Sequence, residues 1–307
     1  MTPDRILVVG SVNTDLVIRV PRLPRPGETV LGGEFFQAAG GKGANQAVAA
    51  ARLAREPVAF VAAVGDDAFG QQALQNLWRE NLDLRDVKVV PGMASGVAQI
   101  VVDARGENAI AVASGANLAL SPDDIDALDP ERFGSTRVLL VSLETPIDTV
   151  ARSLQRAKQA GLITVLNPAP AGALCERMEL LEFVDVLTPN ELEAAELAGT
   201  GPNGDPSSIA RQLRHLGARD CVLTLGPDGC LVVSDRVEHV PAIRVEAVDT
   251  TAAGDAFNGA LAVALAEGRS LTDAARWANR AAAIAVTRRG AQPSLPTRAE
   301  LESLGAV

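Results

Sequence analysis

The chain has 307 residues, 47% of them hydrophobic and 21% charged, a length and balance that fit one soluble α/β domain with room for a small appendage. Its 38 acidic residues outnumber 28 basic ones, for a formal net charge of −10, which argues against nucleic acid or an anionic membrane as a partner because either needs a basic face. Three cysteines without a Cys-x-x-Cys pair and only two histidines exclude an ordinary zinc site and a disulfide framework.

From the N-terminus, residues 5–10 read as a buried parallel strand, a continuous apolar run ended by Gly10. With no leader pattern ahead of this strand, the chain is expected in the reducing cytoplasm. Residues 15–20 and 28–36 read as short lid strands joined by a proline-rich link, and 43–55 as an alanine-rich helix. Strand 58–64 and helix 68–81 follow, the helix with Leu74, Leu77 and Trp78 at helical spacing. Trp78, like Trp277 further on, is expected in the core. Residues 96–103 and 108–114 flank Ala104-Arg-Gly-Glu107, a hairpin signal assigned to the lid.

From residue 138 the alternation is regular. Strands are expected at 138–142, 162–166, 184–188, 221–225 and 230–234. Helices are expected at 147–160, 191–198, 207–216, 254–267 and 271–286, with a loop at 201–206. Such alternation means a mainly parallel central sheet with helices on both faces. Residues 1–12, 40–95 and 115–307 would form that large α/β domain, and 13–39 with 96–114 a small β lid. No repeat or linker marks another domain, and no apolar run reaches membrane-spanning length.

There is no Gly-x-x-x-x-Gly-Lys-Ser/Thr, and Gly10-Ser-Val-Asn13 lacks the other glycines of a dinucleotide fingerprint. In open α/β sheets ligands sit outside the carboxyl ends of the strands, where Asn13, Asp15, Glu144, Asn167, Asn190, Thr224 and Gly226 all fall. Taken singly, each is better explained as a structural residue such as a helix cap than as a functional one. Asp249-Thr-Thr-Ala-Ala-Gly-Asp-Ala-Phe-Asn-Gly259 is a polar, small-residue turn feeding an apolar helix. Thr250 and Thr251 are plausible N-caps, and Ala252, Ala253 and Gly254 leave N–H groups uncovered, which makes an anion site. Asp255 would repel a phosphate there unless it takes the proton of a hydroxyl attacking that phosphate. The bland alternative is an ordinary acidic first turn. Lys42 at a helix start opposes the macrodipole and calls for an anionic or polar partner. Asn190-Glu-Leu-Glu193 reads equally as a capping box and as a nucleotide contact. His215 and His239 are expected to be structural or at the surface, and Cys175, Cys221 and Cys230 inert.

The Asp249 to Gly259 stretch, with Gly40-Gly41-Lys42-Gly43-Ala44-Asn45, resembles the two signatures of the PfkB carbohydrate kinases. The resemblance runs from Ile6 to about Pro296 and is greatest to members that phosphorylate ribose. Ala252 departs from the usual Gly, and Ala54 stands where Gly often follows Ala-Arg-Leu; both keep a small side chain, which is harmless unless position 252 needs φ > 0.

The resemblance implies phosphoryl transfer from ATP with Mg²⁺ to the 5-hydroxyl of ribose, with Asp255 as base and the N–H groups of residues 252 to 255 as anion hole. It assigns Asn13, Asp15, Gly41, Lys42, Asn45 and Glu144, with Asp255, to the sugar. It places Asn190 on nucleotide phosphate and Glu193 near Mg²⁺ through water. Thr224, Gly226, Asp228, Gly229 and Gly254 would lie along ATP, and Asn279 near the adenine. Residues 285–294 resemble a loop that encloses K⁺, with side-chain oxygens from Asp249 and Ser294 and carbonyls from Thr251, Ala285, Arg288 and Gly290. A homodimer through the lid is implied as well, using an apolar face of Leu16, Ile18, Ile100 and Val102. The alternatives are a kinase for another small sugar or a nucleoside, a non-catalytic sugar- or nucleotide-sensing protein, against which Asp255 speaks, and a dehydrogenase, disfavoured by the missing fingerprint.

Overall fold

A computed structural model describes residues 5–201 and 204–304. Residues 1–4 and 305–307 of the expected large domain, and 202–203 of the expected loop, lie outside the described residues. In chain order the strands are β1 (Ile6–Val9), β2 (Asn13–Arg19), β3 (Glu34–Gly40), β4 (Val58–Gly65), β5 (Leu82–Asp83), β6 (Val87–Val90), β7 (Gly96–Val102), β8 (Asn108–Ala113), β9 (Val138–Ser142), β10 (Ile163–Asn167), β11 (Val186–Leu187), β12 (Asp220–Thr224), β13 (Cys230–Val233) and β14 (Val237–Val240).

The central sheet has the order β14-β13-β12-β11-β10-β9-β1-β4-β5, with β6 also on β4. It is parallel from β5 to β12, and β13 and β14 close the other edge antiparallel. Both faces are covered, so β1, β4 and β9 are apolar and buried at every position. Ile6 and Val8 face a cluster with the Lys42–Leu53, Ala253–Ala266 and Leu271–Ala285 helices, while Leu7 and Val9 face the Ile147–Gln159, Glu191–Leu197 and Pro206–His215 helices. Each such side chain stabilises the fold by about 1.5–3 kcal/mol through burial.

The Ala253–Ala266 helix is buried from Asp255 onward, which explains why it is apolar all round. It crosses the Lys42–Leu53 helix so closely that a Cβ on Gly259 would lie 2.6 Å from Ala49 Cβ and 2.8 Å from Gln46 O. Small residues on both helices are the condition for that approach, and the approach brings the two signature turns together.

β2, β3, β7 and β8 form a separate four-stranded sheet in the order β3-β2-β7-β8, drawn from two segments as expected. Its second strand is Glu34–Gly40 rather than 28–36, because the glycines at 32 and 33 take positive φ and form the approach to the strand. Val17 pairs with Ile100 and Ile18 with Val101, so Leu16 and Ile18 lie on the face opposite Ile100 and Val102. The single apolar face expected from these four residues is thereby corrected: both faces of the lid carry apolar side chains.

The helix expected at 68–81 ends at Leu77. Trp78, one residue beyond, is 79% exposed, against the core position expected for it, whereas Trp277 is buried. The short β5, β6 and β14 were not foreseen, since they are partly exposed and lack the continuous apolar runs that mark β1 and β13.

Candidate active site

The carboxyl ends of β1, β4 and β9 open onto the first signature turn. Gly41 caps the Lys42–Leu53 helix with φ 90°, and a Cβ there would lie 2.7 Å from Asn13 N. A Cβ on Gly43 would lie 2.3 Å from Ser11 N, so only glycine lets this helix start against the β1–β2 link. Glu144, just after β9, accepts from Lys42 N at 2.9 Å and from Ser11 Oγ at 2.5 Å. The partner that Lys42 called for is thus met in part through its backbone.

Asp15 lies on β2 across the cleft, and a Cβ on Gly40 would lie 2.3 Å from its carboxylate oxygens. Burial, then the charges of Glu144 and Asp255, push the Asp15 carboxyl up to about 6. Three carboxylates therefore lie close enough to raise one another's proton affinity, a setting suited to a ligand rich in hydroxyl donors.

Asp255 stands in the first turn of the Ala253–Ala266 helix and is buried. Its Oδ2 accepts from Asn45 Nδ2 and its Oδ1 from Gln46 Nε2, each at 3.0 Å. Burial raises its proton affinity, with Lys42, Asn45 and Gln46 pulling the other way. Gln46 also donates to Asn167 Oδ1 at 3.0 Å, and Asn167 Nδ2 donates to Thr188 O. The side-chain amide oxygens of Asn45 and Gln46, both buried, have no partner among the described residues. Sequence reasoning missed Gln46; the available signal was a second amide beside Asn45 in an alanine-rich helix.

The helix start ahead of Asp255 differs from expectation. Its N-cap is Ala252, in the left-handed region at φ 59°, without a side-chain cap. The threonines do not cap it, because Thr251 N and Oγ1 both donate to Asp249 Oδ1. Ala253 N closes a turn onto Thr250 O at 3.2 Å. Among the described residues, the N–H groups of Ala252, Gly254 and Asp255 take no backbone partner, and these three make the anion-facing set. Ala252 is the one described non-glycine residue with positive φ, so its departure from Gly carries a steric cost of roughly 1–2 kcal/mol.

On the other side of Asp255, Asn190 and Glu193 form a capping box, with Asn190 N donating to Glu193 Oε2 and Glu193 N to Asn190 Oδ1. Among the described residues that arrangement leaves Glu193 Oε1 and the Asn190 side-chain nitrogen without a hydrogen bond. Burial raises the Glu193 carboxyl, Asn190 N and Lys42 oppose this, and the charge of Asp255 adds to the rise. Thr224 ends β12 and forms a bridge with Asn190. Gly226 and Gly229 both take positive φ, and a Cβ on Gly229 would lie 2.2 Å from Val240 O. His239 Nε2 lies 2.8 Å from Asp228 O and holds this turn. Asn279 gives its amide hydrogens to Val240 O and Pro241 O, so its packing role is in place within the chain.

Behind the anion-facing turn, Asp249 Oδ2 accepts from Gly290 N at 2.9 Å, tying residues 249–251 to the 285–294 loop. Burial raises the Asp249 carboxyl, but the bonds from Gly290 and Thr251 outweigh it and hold it below the usual range. Among the described residues the Thr251, Arg288 and Gly290 carbonyls take no backbone hydrogen bond, whereas Ala285 O accepts from Arg288 N. The Arg288 guanidinium pairs with Glu300, and Ser294 Oγ, fully buried, donates to Ala291 O.

The sequence profile described as the pfkB family carbohydrate kinases matches residues 3–298. The chain belongs to that family. It is 41% identical over 298 residues to a ribokinase of Haemophilus influenzae, covering 96% of each chain. It is 37% identical over 295 residues to a deoxyribokinase of Salmonella typhi, covering 95% of each. The solved structure of Arabidopsis thaliana ribokinase, described as complexed with ribose and ATP, superposes with a TM-score of 0.87 at 30% identity over 99% of both chains. The kinase class expected from the two signature turns is borne out, and both turns meet at Asp255.

Proposed function

We propose that this chain transfers the γ-phosphoryl group of ATP to the 5-hydroxyl of ribose, giving ribose 5-phosphate and ADP. The observation that carries this reading is Asp255, a buried carboxylate beside uncovered N–H groups at a helix start and coupled to Asp15 and Glu144. Similarity to ribokinases, one of them described with ribose and ATP, supports the choice of substrates.

In the proposed reaction, Asp15, Asn13, Lys42, Asn45, Glu144 and the Gly41 backbone hold the sugar. The 5-hydroxyl oxygen attacks the γ-phosphorus while its proton passes to Asp255, and the bond to the leaving ADP oxygen breaks. The Ala252, Gly254 and Asp255 N–H groups stabilise charge on the transferred group. Asn190, Thr224, Gly226, Asp228, Gly229 and Asn279 line the nucleotide side. The lid, residues 13–39 and 96–114, closes over the body formed by residues 1–12, 40–95 and 115–307 and excludes water.

The magnesium ion that accompanies ATP supplies positive charge to its phosphates when bound. Glu193 fits its neighbourhood, half-buried, with an Oε1 that takes no hydrogen bond among the described residues and with the charges of Lys42 and Asp255 nearby. K⁺ is proposed for the loop behind the anion-facing turn, which Asp249 ties to residues 249–251 and in which Thr251, Arg288 and Gly290 have carbonyls that take no backbone hydrogen bond among the described residues; a hard cation needs such oxygens. Ala285 and Ser294 would complete that shell. A homodimer through the lid is proposed from its exposed apolar residues. No described helix is long and apolar enough to cross a membrane, and a cytoplasmic location is part of the proposal.

A coupled ADP-release assay over ribose, 2-deoxyribose, fructose and adenosine tests the reading. Highest catalytic efficiency on ribose is the expected result; turnover only on adenosine would sink it. The Salmonella typhi relative favours 2-deoxyribose as the second candidate.

A further inference from the structure

Asn117 lies where the chain leaves the lid, in the short helical turn Gly115–Ala119, and it is 1% exposed. Its Oδ1 accepts from Val12 N at 2.8 Å and its Nδ2 donates to Val12 O at 3.1 Å. A backbone N–H can only donate and a backbone carbonyl can only accept, so these two bonds fix which end of the Asn117 amide is oxygen. The second Nδ2 hydrogen donates to the Asn13 side chain at 2.8 Å. Only an oxygen can receive it, and the Asn13 amide is therefore fixed too, with Oδ1 toward Asn117. Asn13 Nδ2 makes no hydrogen bond within the described residues. At the lid hinge the chain leaves room for this contact only because residue 96 is glycine: a Cβ there would lie 2.1 Å from Asn13 Oδ1 and 2.4 Å from Asn117 Nδ2.

We infer that Asn117 is a positioning residue for sugar recognition: by locking the Asn13 amide it makes Asn13 a pure N–H donor to a sugar hydroxyl. Asp15, an acceptor only, sits two residues along the same strand, on the same face. The pair offers hydroxyl groups one donor and one acceptor in fixed places, which a freely flipping amide could not do. This inference rests on the sugar-kinase reading.

The test is a cycle of Asn117→Asp and Asn13→Ala, with KM for ribose, KM for ATP and kcat measured for each. In Asn117→Asp one carboxylate oxygen still accepts from Val12 N, but the other confronts both Val12 O and Asn13 Oδ1, so the Asn13 amide turns over and presents oxygen to the sugar. KM for ribose should rise roughly tenfold to a hundredfold, the loss typical of an unmade buried hydrogen bond, with KM for ATP and kcat held. In the Asn13→Ala background Asn117→Asp should add little, because its effect runs through Asn13. An equal added loss in both backgrounds would mean that Asn117 only supports the hinge, and would overturn the inference. Should Asn117→Asp fail to fold, Asn13→Asp keeps the Asn117 contact and replaces only the sugar-facing N–H by oxygen. It must raise KM at least as much as Asn13→Ala, and a KM near wild type would equally overturn the inference. A wild-type enzyme that turns over none of the sugars would overturn the kinase reading instead, before any variant is compared.

Discussion

The Gln46 amide donates to Asp255 Oδ1 at 3.0 Å, and the same nitrogen donates to Asn167 Oδ1. Asp255, the proposed base, is thereby held from the first signature turn, about two hundred residues away in the chain, and the Gly259 crossing is what lets the two helices approach. Asn45 holds the other carboxylate oxygen. Asp255 is oriented on both sides before any substrate arrives.

Asp255→Asn should lower kcat roughly 10²–10⁴-fold while ribose and ATP still bind, because it removes the proton acceptor; the amide nitrogen it introduces also gives up one of the two bonds from Asn45 and Gln46. Steady-state kinetics with calorimetric binding checks this. A folded Asn variant with near-normal turnover would remove Asp255 from its proposed role.

Gln46→Met should act more subtly. Burial raises the Asp255 proton affinity and the Gln46 bond opposes that rise, so losing the bond should move the acid limb of the kcat/KM profile to higher pH. A loss of roughly tenfold in kcat is expected, the worth of one hydrogen bond to a charged group. Gln46→Met that lowers activity equally at every pH would reduce Gln46 to a packing role.

Asp15 illustrates the conflict between stability and binding. Its folded carboxyl is raised to about 6 from 3.8, so the folded state binds the extra proton. Stability from this group is present below about pH 4 and is lost as pH rises to about 6. The two-unit difference corresponds to at most about 3 kcal/mol. Asp15→Asn should therefore raise Tm at pH 7.5 by several degrees, leave it unchanged near pH 4, and weaken ribose binding. A Tm difference that does not change with pH contradicts the assignment.

Much of this was legible in the sequence for identifiable reasons. Continuous apolar runs such as Ile6–Val9 mark strands buried on both faces, and Asp255 stood out as an acid in an anion-binding turn. The lid register was not legible, because Val17 and Ile18 are both apolar and nothing local says which pairs with Ile100. Asn117 and Gln46 were missed because their roles exist only across long chain separations, between residues 12 and 117 and between 46 and 255. Ala252 was read as harmless unless its φ were positive, and its φ is positive.

The lid should make the chain a dimer. Ile110 and Val112 on the edge strand β8 are 55% and 52% exposed, and lie on one face with Ile100 and Phe36. Exposed apolar residues on an unpaired edge strand favour a partner. Sedimentation at micromolar concentration should give a dimer, and Ile110→Asp with Val112→Asp should give a monomer with weakened ribose binding. A wild-type monomer under those conditions excludes the arrangement.

The last expectation is activation by K⁺. Asp249 joins two loops, taking Thr251 N and Oγ1 on one oxygen and Gly290 N on the other. Those bonds fix the turn immediately before Ala252, whose left-handed φ in turn aims the uncovered N–H groups. Thr251, Arg288 and Gly290 contribute carbonyls that no backbone donor occupies, so an ion among them would stiffen the turn from behind without touching either substrate. Its effect should fall on kcat more than on KM for ribose, since the N–H groups act on charge that develops during transfer. Replacing a bulky organic cation by K⁺ at constant ionic strength should raise kcat, and Asp249→Ala should abolish the response while the enzyme still binds ribose. Equal kcat in both salts would dismiss the ion and leave Asp249 as a purely structural tie between the loops.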